Sequence, residues 1–142
     1  MDWVTVDEAR VLGALSASQR QLYQGWIVQY PEKATRVAEI IGNLVMEFRA
    51  ALEANPQNYL VPDLEKLPQS CVRYCETLIL SDLCTEMGAA ISQVQLMAIE
   101  KAEIFLRMMF SGRFYITGGD ASNAPSPWYV AGIRREARRM DG

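Results

Sequence analysis

Residues 68–112, PQSCVRYCETLILSDLCTEMGAAISQVQLMAIEKAEIFLRMMFSG, decide the fold. They read as two long apolar helices joined by a short break from Gly88 to Ile91. Pro68 suits the first position of a helix, where a missing N–H costs nothing. From there Cys71, Val72, Cys75, Leu78, Ile79, Leu83, Cys84 and Met87 cover more than one stripe of the helical wheel. That pattern predicts a central helix, packed on more than one side. After the break, Ser92 with Gln95 three residues on has the form of a capping box, and Ile91 and Leu96 occupy the positions of a hydrophobic staple. Val94, Ala98, Ala102, Phe105 and Met109 make one apolar row of the second helix, and Leu96, Ile99, Leu106 and Phe110 make another. Glu100, Lys101, Glu103 and Arg107 are left as a narrower polar side, so this helix also asks for cover on two sides before Gly112 closes it.

Upstream, Thr5 with Glu8 predicts a cap for a short helix over Val6 to Leu12, stopped by Gly13. Ser16 with Gln19 repeats the signal, and Leu22, Tyr23, Trp26, Ile27 and Tyr30 follow at steps of three and four as one aromatic face. Pro31 forces a break at Tyr30. From Ala34 to about Ala54, Val37, Ile41, Leu44, Phe48 and Ala51 form an apolar stripe, with Glu39, Glu47 and Arg49 placed elsewhere on the wheel. Asn55-Pro56 ends that helix, and the segment to Lys66 reads as an irregular connector pinned by Tyr59, Leu60 and Val61.

Downstream, Arg113 to Thr117 (RFYIT) has the composition of a short strand centred on Phe114, Tyr115 and Ile116. No second strand is evident in the chain, which makes a neighbouring subunit the candidate partner. Residues 118–127 turn to Gly, Asp, Ser, Asn and Pro and read as a linker. Residues 128–142 then carry Trp128, Tyr129, Val130 and Ile133, followed by Arg134, Arg135, Arg138 and Arg139. Four Arg against Glu136 and Asp141 give this end +2, while residues 1–127, with ten basic and fifteen acidic side chains, carry −5. An aromatic and Arg-rich arm tethered to an acidic body points to a partner. Buried aromatics and Arg are the usual anchors of protein interfaces.

The chain has 142 residues, half of them apolar, which fits one domain able to bury roughly two-thirds of the surface its unfolded form exposes. A net charge of −3 provides no global field for nucleic acid. No run of about 18 apolar residues is present, and the start Met1-Asp2-Trp3 lacks the features of a signal peptide, so a soluble intracellular protein without a membrane role is expected. Histidine is absent, removing the commonest general base and zinc ligand. Cys71 and Cys75 share a helix face at metal-ligand spacing, but without His or a fourth Cys they read as core, as does Cys84. Asp82 with Glu86, and Glu100 with Glu103, read as solvated helix faces or subunit contacts rather than acid–base pairs. Gly118-Gly119 lacks the rest of a phosphate loop, and Met87, Met97, Met108 and Met109 read as core rather than an adaptable groove. No catalytic residue, cofactor or metal site is expected.

The helical body, together with the phrases LPQSCVRY (Leu67–Tyr74), AEIFLR (Ala102–Arg107) and SGRF (Ser111–Phe114), resembles the head-to-tail connector proteins of tailed bacteriophages and gene transfer agents, also called adaptor or head-completion proteins. The resemblance covers roughly residues 30–115. It implies a small subunit that forms a ring, usually twelvefold, beneath the portal in the virion neck, extends the DNA channel without sequence-specific binding, and carries the next neck or tail protein. In such proteins the C-terminal arm commonly docks on the portal, which here implies a docking role for Trp128, Tyr129, Ile133, Arg134, Arg135, Arg138 and Arg139. The expectation is therefore an all-α bundle of four to five helices with a short strand: residues 1–117 as the helical domain, 118–127 as linker and 128–142 as docking arm. The alternative is a small helical regulator whose Arg-rich tail binds nucleic acid.

Overall fold

The computed structural model describes residues 2–116. Its elements are β1 (Trp3–Thr5), α1 (Glu8–Gly13), α2 (Ala17–Gln29), a 3-10 turn (Pro31–Thr35), α3 (Arg36–Glu53), β2 (Lys66–Pro68), α4 (Gln69–Met87) and α5 (Gln93–Phe110). The protein is mostly helical, with five α-helices and one two-stranded antiparallel sheet. The central helix is α4, which packs against α1, α2, α3 and α5 and against both strands. It buries Cys71, Val72, Cys75, Leu78, Ile79, Leu80, Leu83 and Cys84. Phe48 and Leu52 from α3, and Ala102 and Met109 from α5, are fully buried in the same core. Of these, Phe48, Leu52 and Met109 each contribute about 1.5–3 kcal/mol on burial.

The hairpin's signals hold. Gly88 caps α4 in the left-handed region at φ 72°, and Ala89 N–H returns to Cys84 O at 2.8 Å. Ser92 Oγ accepts from Gln95 N–H while Gln95 Oε1 accepts from Ser92 N–H, the expected capping box. The Ser16 and Gln19 box at the start of α2 is formed the same way. These two boxes then meet. The Gln19 amide donates to Gln95 Oε1 and to Ala90 O, both at 2.8 Å, and the Gln95 amide donates back at 3.0 Å. This reciprocal pair fixes the start of α2 against the α4–α5 turn.

Several expectations are corrected. Thr5 does not cap α1: it lies in β1, and Asp7 caps through a 2.9 Å bond from Ala9 N–H. A second strand does exist in the chain. Trp3, Val4 and Thr5 pair with Pro68, Leu67 and Lys66, so Pro68 closes a strand and precedes α4 rather than opening it. Arg49, off the apolar stripe of α3, is nonetheless buried. It is 5% exposed and donates to the carbonyls of Asp63 at 3.0 Å, Lys66 at 2.8 Å and Val61, with its guanidinium 5.5 Å from the Trp3 ring. One buried cation thereby holds the connector before β2. Of the side chains expected to pin that connector, Leu60 and Val61 are partly buried but Tyr59 is exposed.

Candidate interaction surfaces

Among the described residues, Phe114, Tyr115 and Ile116 form no strand. Their place is set instead by side chains at the end of α3 and just beyond it. Asn58 Nδ2 donates to Phe114 O at 2.9 Å, and Asn58 Oδ1 accepts from Ile116 N–H at 2.8 Å. One carboxamide thus takes the part that the N–H and C=O of a single residue play in a parallel ladder. Asn55, itself buried, adds a 3.1 Å bond to Phe114 O. Phe114 meets Phe105 edge-on with ring centroids 5.1 Å apart, and Phe105 stacks on Tyr74 at 4.2 Å. Gly112 makes the turn possible: its φ is 79°, and a Cβ there would lie 3.0 Å from Ala54 O. The arm residues Trp128, Tyr129, Ile133, Arg134, Arg135, Arg138 and Arg139, with the linker before them, lie outside the described residues.

The second apolar row predicted for α5 is not covered as expected. The helix buries Ile99, Ala102, Leu106 and Met109, while Leu96 and Phe110 stay exposed. On its outer side, Val94, Met97, Ile104 and Met108 form an apolar stripe open to solvent, with Val94 78% and Ile104 60% exposed. Their steps of three, seven and four are completed by Lys101, the one charged residue in the series. Met109 is core as expected, whereas Met97 and Met108 belong to this exposed stripe.

A groove of about 710 Å³ runs between α2 and the end of α4. Leu22, Trp26, Tyr30 and Met87 supply its apolar lining, and Glu86 is the charged residue on it. Gly25 helps to keep it open, since nothing lies within 4 Å of where its Cβ would be. The residues expected to form one aromatic face on α2 therefore divide: Tyr23 is buried, while Leu22 and Tyr30 are exposed along the groove.

Beside the groove, between α3 and α4, lies a smaller hollow of about 220 Å³ that includes Arg36, Asp82 and Glu86. Arg36 donates to Glu86 through Nε at 2.9 Å and Nη2 at 2.7 Å, and to Glu39 through Nη1 at 2.8 Å. These hydrogen bonds hold the Glu86 carboxyl below its usual range and the guanidinium above its own. Asp82 is shifted the other way, upward, by partial burial and then by the carboxylates of Glu47 and Glu86. A carboxyl raised in this sense contributes stability below its unfolded value of about 3.9, and that stability is lost as pH rises through the folded value. Asp82→Asn is accordingly expected to raise the melting temperature at pH 7 by a small amount and to leave it unchanged near pH 3. Thermal scans at the two pH values test this, and an equal shift at both would exclude the electrostatic cause.

The cysteines carry no sign of chemistry. Burial pushes the Cys71 thiol up to about 12 and raises Cys75 and Cys84 as well, so all three stay protonated at neutral pH. Among the described residues no group of three or more His, Cys, Asp or Glu is placed to hold a metal ion, and no helix is long and apolar enough to cross a membrane. Comparison of the chain with protein-family models, curated proteins and solved structures returned no match.

Proposed function

We propose that the protein is a structural head-to-tail adaptor of a tailed phage. In this reading it is not an enzyme and takes no cofactor. It assembles into a ring in the virion neck, twelve subunits by the resemblance, under the portal and above the next neck or tail protein. The ring extends the DNA channel. The observation that carries the reading is the uncovered apolar stripe of α5: a helix so well capped leaves Val94, Met97, Ile104 and Met108 in solvent, as a subunit does whose neighbour completes its core. The acidic body suits a channel wall along which DNA slides, and the Arg-rich arm suits docking on portal carboxylates. Phe114, Tyr115 and Ile116 have a place in such a ring as a segment for a neighbouring subunit to extend.

Native mass spectrometry of the purified protein, alone and with its cognate portal protein, tests the proposal. The expected result is a ring, or a monomer that joins the portal in a fixed high stoichiometry. A monomer or dimer indifferent to portal, combined with DNA affinity that falls steeply with salt, would replace the adaptor with the tail-binding regulator.

A further inference from the structure

We infer that copies of this chain join head to tail, the α5 stripe of one copy seating in the α2–α4 groove of the next. This rests on the homo-oligomeric reading above and names the two faces that would make the contact. The stripe is a ridge of Val94, Met97, Lys101, Ile104 and Met108, apolar except for one cation near its centre. The groove is apolar on Leu22, Trp26, Tyr30 and Met87, and its one charged lining residue, Glu86, is an anion. Around it three carboxylates, Glu39, Asp82 and Glu86, stand against Arg36, which bonds Glu39 and Glu86, and against Lys33, which lies 5.9 Å from the Trp26 ring and whose charge also acts on Glu86. The local balance of −1 favours an incoming cation. The stripe and the groove lining share no residue.

Pairing of the stripe with itself is the competing arrangement, and its charge disfavours it. Whether two such helices run parallel, or antiparallel about the middle of the stripe, Lys101 comes to face Lys101 in a seam being emptied of water. The groove offers Glu86 in that place, a carboxylate already bonded to Arg36 but set in a cluster that keeps a net negative charge. Two unlike faces that fit each other make a heterologous contact, and repetition of a heterologous contact produces a closed ring or an open filament. A single contact uses far fewer than the 20–30 residues a side of a stable complex. Each pair is therefore weak, and closure, in which every subunit uses both faces, supplies the stability.

Full-length Leu22→Cys and Ile104→Cys variants, mixed under mild oxidation, test this. Both positions are exposed, so folding is retained, and circular dichroism confirms it. A docked pair holds two thiols at an effective concentration in the millimolar range. The 22–104 disulfide between copies is expected to exceed the 22–22 and 104–104 products by at least about tenfold. Dominance of 104–104 would establish a two-fold contact and overturn the inference, as would the absence of any selective cross-link. A native-mass ring without the 22–104 cross-link would sink this contact and leave the ring reading standing. An open chain with the cross-link would do the reverse.

Discussion

Arg49→Met is expected to lower stability by about 2–4 kcal/mol, the largest effect of any polar substitution in the described domain. Arg49 is buried on α3 and donates to three backbone carbonyls of the connector, at Val61, Asp63 and Lys66. Hydrogen bonds from a charged donor contribute about 1.5–3 kcal/mol each, but loss of the buried charge itself gives back part of that sum, and water can reach some of the freed carbonyls. A methionine of similar length keeps the packing against α3 and removes the fork. Arg49→Lys should recover less than half of the loss, because one ammonium on a flexible stem cannot match a planar guanidinium aimed at carbonyls from three positions. The melting temperature should fall by about 10 °C in the Met variant. Protease cleavage should appear between Asn55 and Lys66, since the connector has lost its tie. A Lys66→Met control, at an exposed ion pair with Asp63, should change stability by under about 0.5 kcal/mol. Equal melting temperatures for Arg49→Met and wild type would mean that the connector is held by its own contacts.

What could be read in the sequence follows from how local each cause is. The α4–α5 hairpin was legible almost to the residue because Gly88, Ser92 and Gln95 act within one turn of chain. The break at Pro31 and the cap at Ser16 were legible for the same reason. The strand β1 was not. Three residues, Trp3 to Thr5, find their partner more than sixty positions away, and no local periodicity reports that pairing. The burial of Arg49 was not legible from its charge, although it lies one turn from both Val45 and Leu52 and shares their buried side. Phe114 to Ile116 looked like a strand by composition, but the segment pairs with side chains rather than with a strand. What no propensity could show is that Asn58, far back in the chain, would supply the peptide-like partner. The interaction surfaces divide likewise. Excess apolar character on α5 was visible as two rows. Which residues stay in solvent depends on α4 and α3, so the stripe emerged with the packing.

If the adaptor proposal holds, deleting residues 128–142 is expected to abolish portal binding, a loss of at least about 100-fold in affinity, while leaving the helical domain folded. Among the described residues the buried core cluster runs from Val6 to Met109, so the melting temperature should hardly move. The binding loss follows from the segment's make-up. Buried aromatic and Arg anchors each cost about 2 kcal/mol or more when truncated, and every 1.4 kcal/mol is a factor of ten. Trp128 and Tyr129 offer two aromatic anchors, and Arg134, Arg135, Arg138 and Arg139 offer four charges. Substitution within the arm separates these contributions. Trp128→Ala with Tyr129→Ala should raise the dissociation rate with little dependence on salt, as filling of apolar pockets requires. Changing the four Arg to Gln should slow association and remove most of the salt dependence, as steering toward carboxylates requires. Unchanged portal binding by the truncated protein would remove the arm from the adaptor reading. If truncation instead removed a salt-sensitive affinity for DNA and portal bound neither form, the same Arg cluster would be tracking phosphates and the regulator would take the adaptor's place.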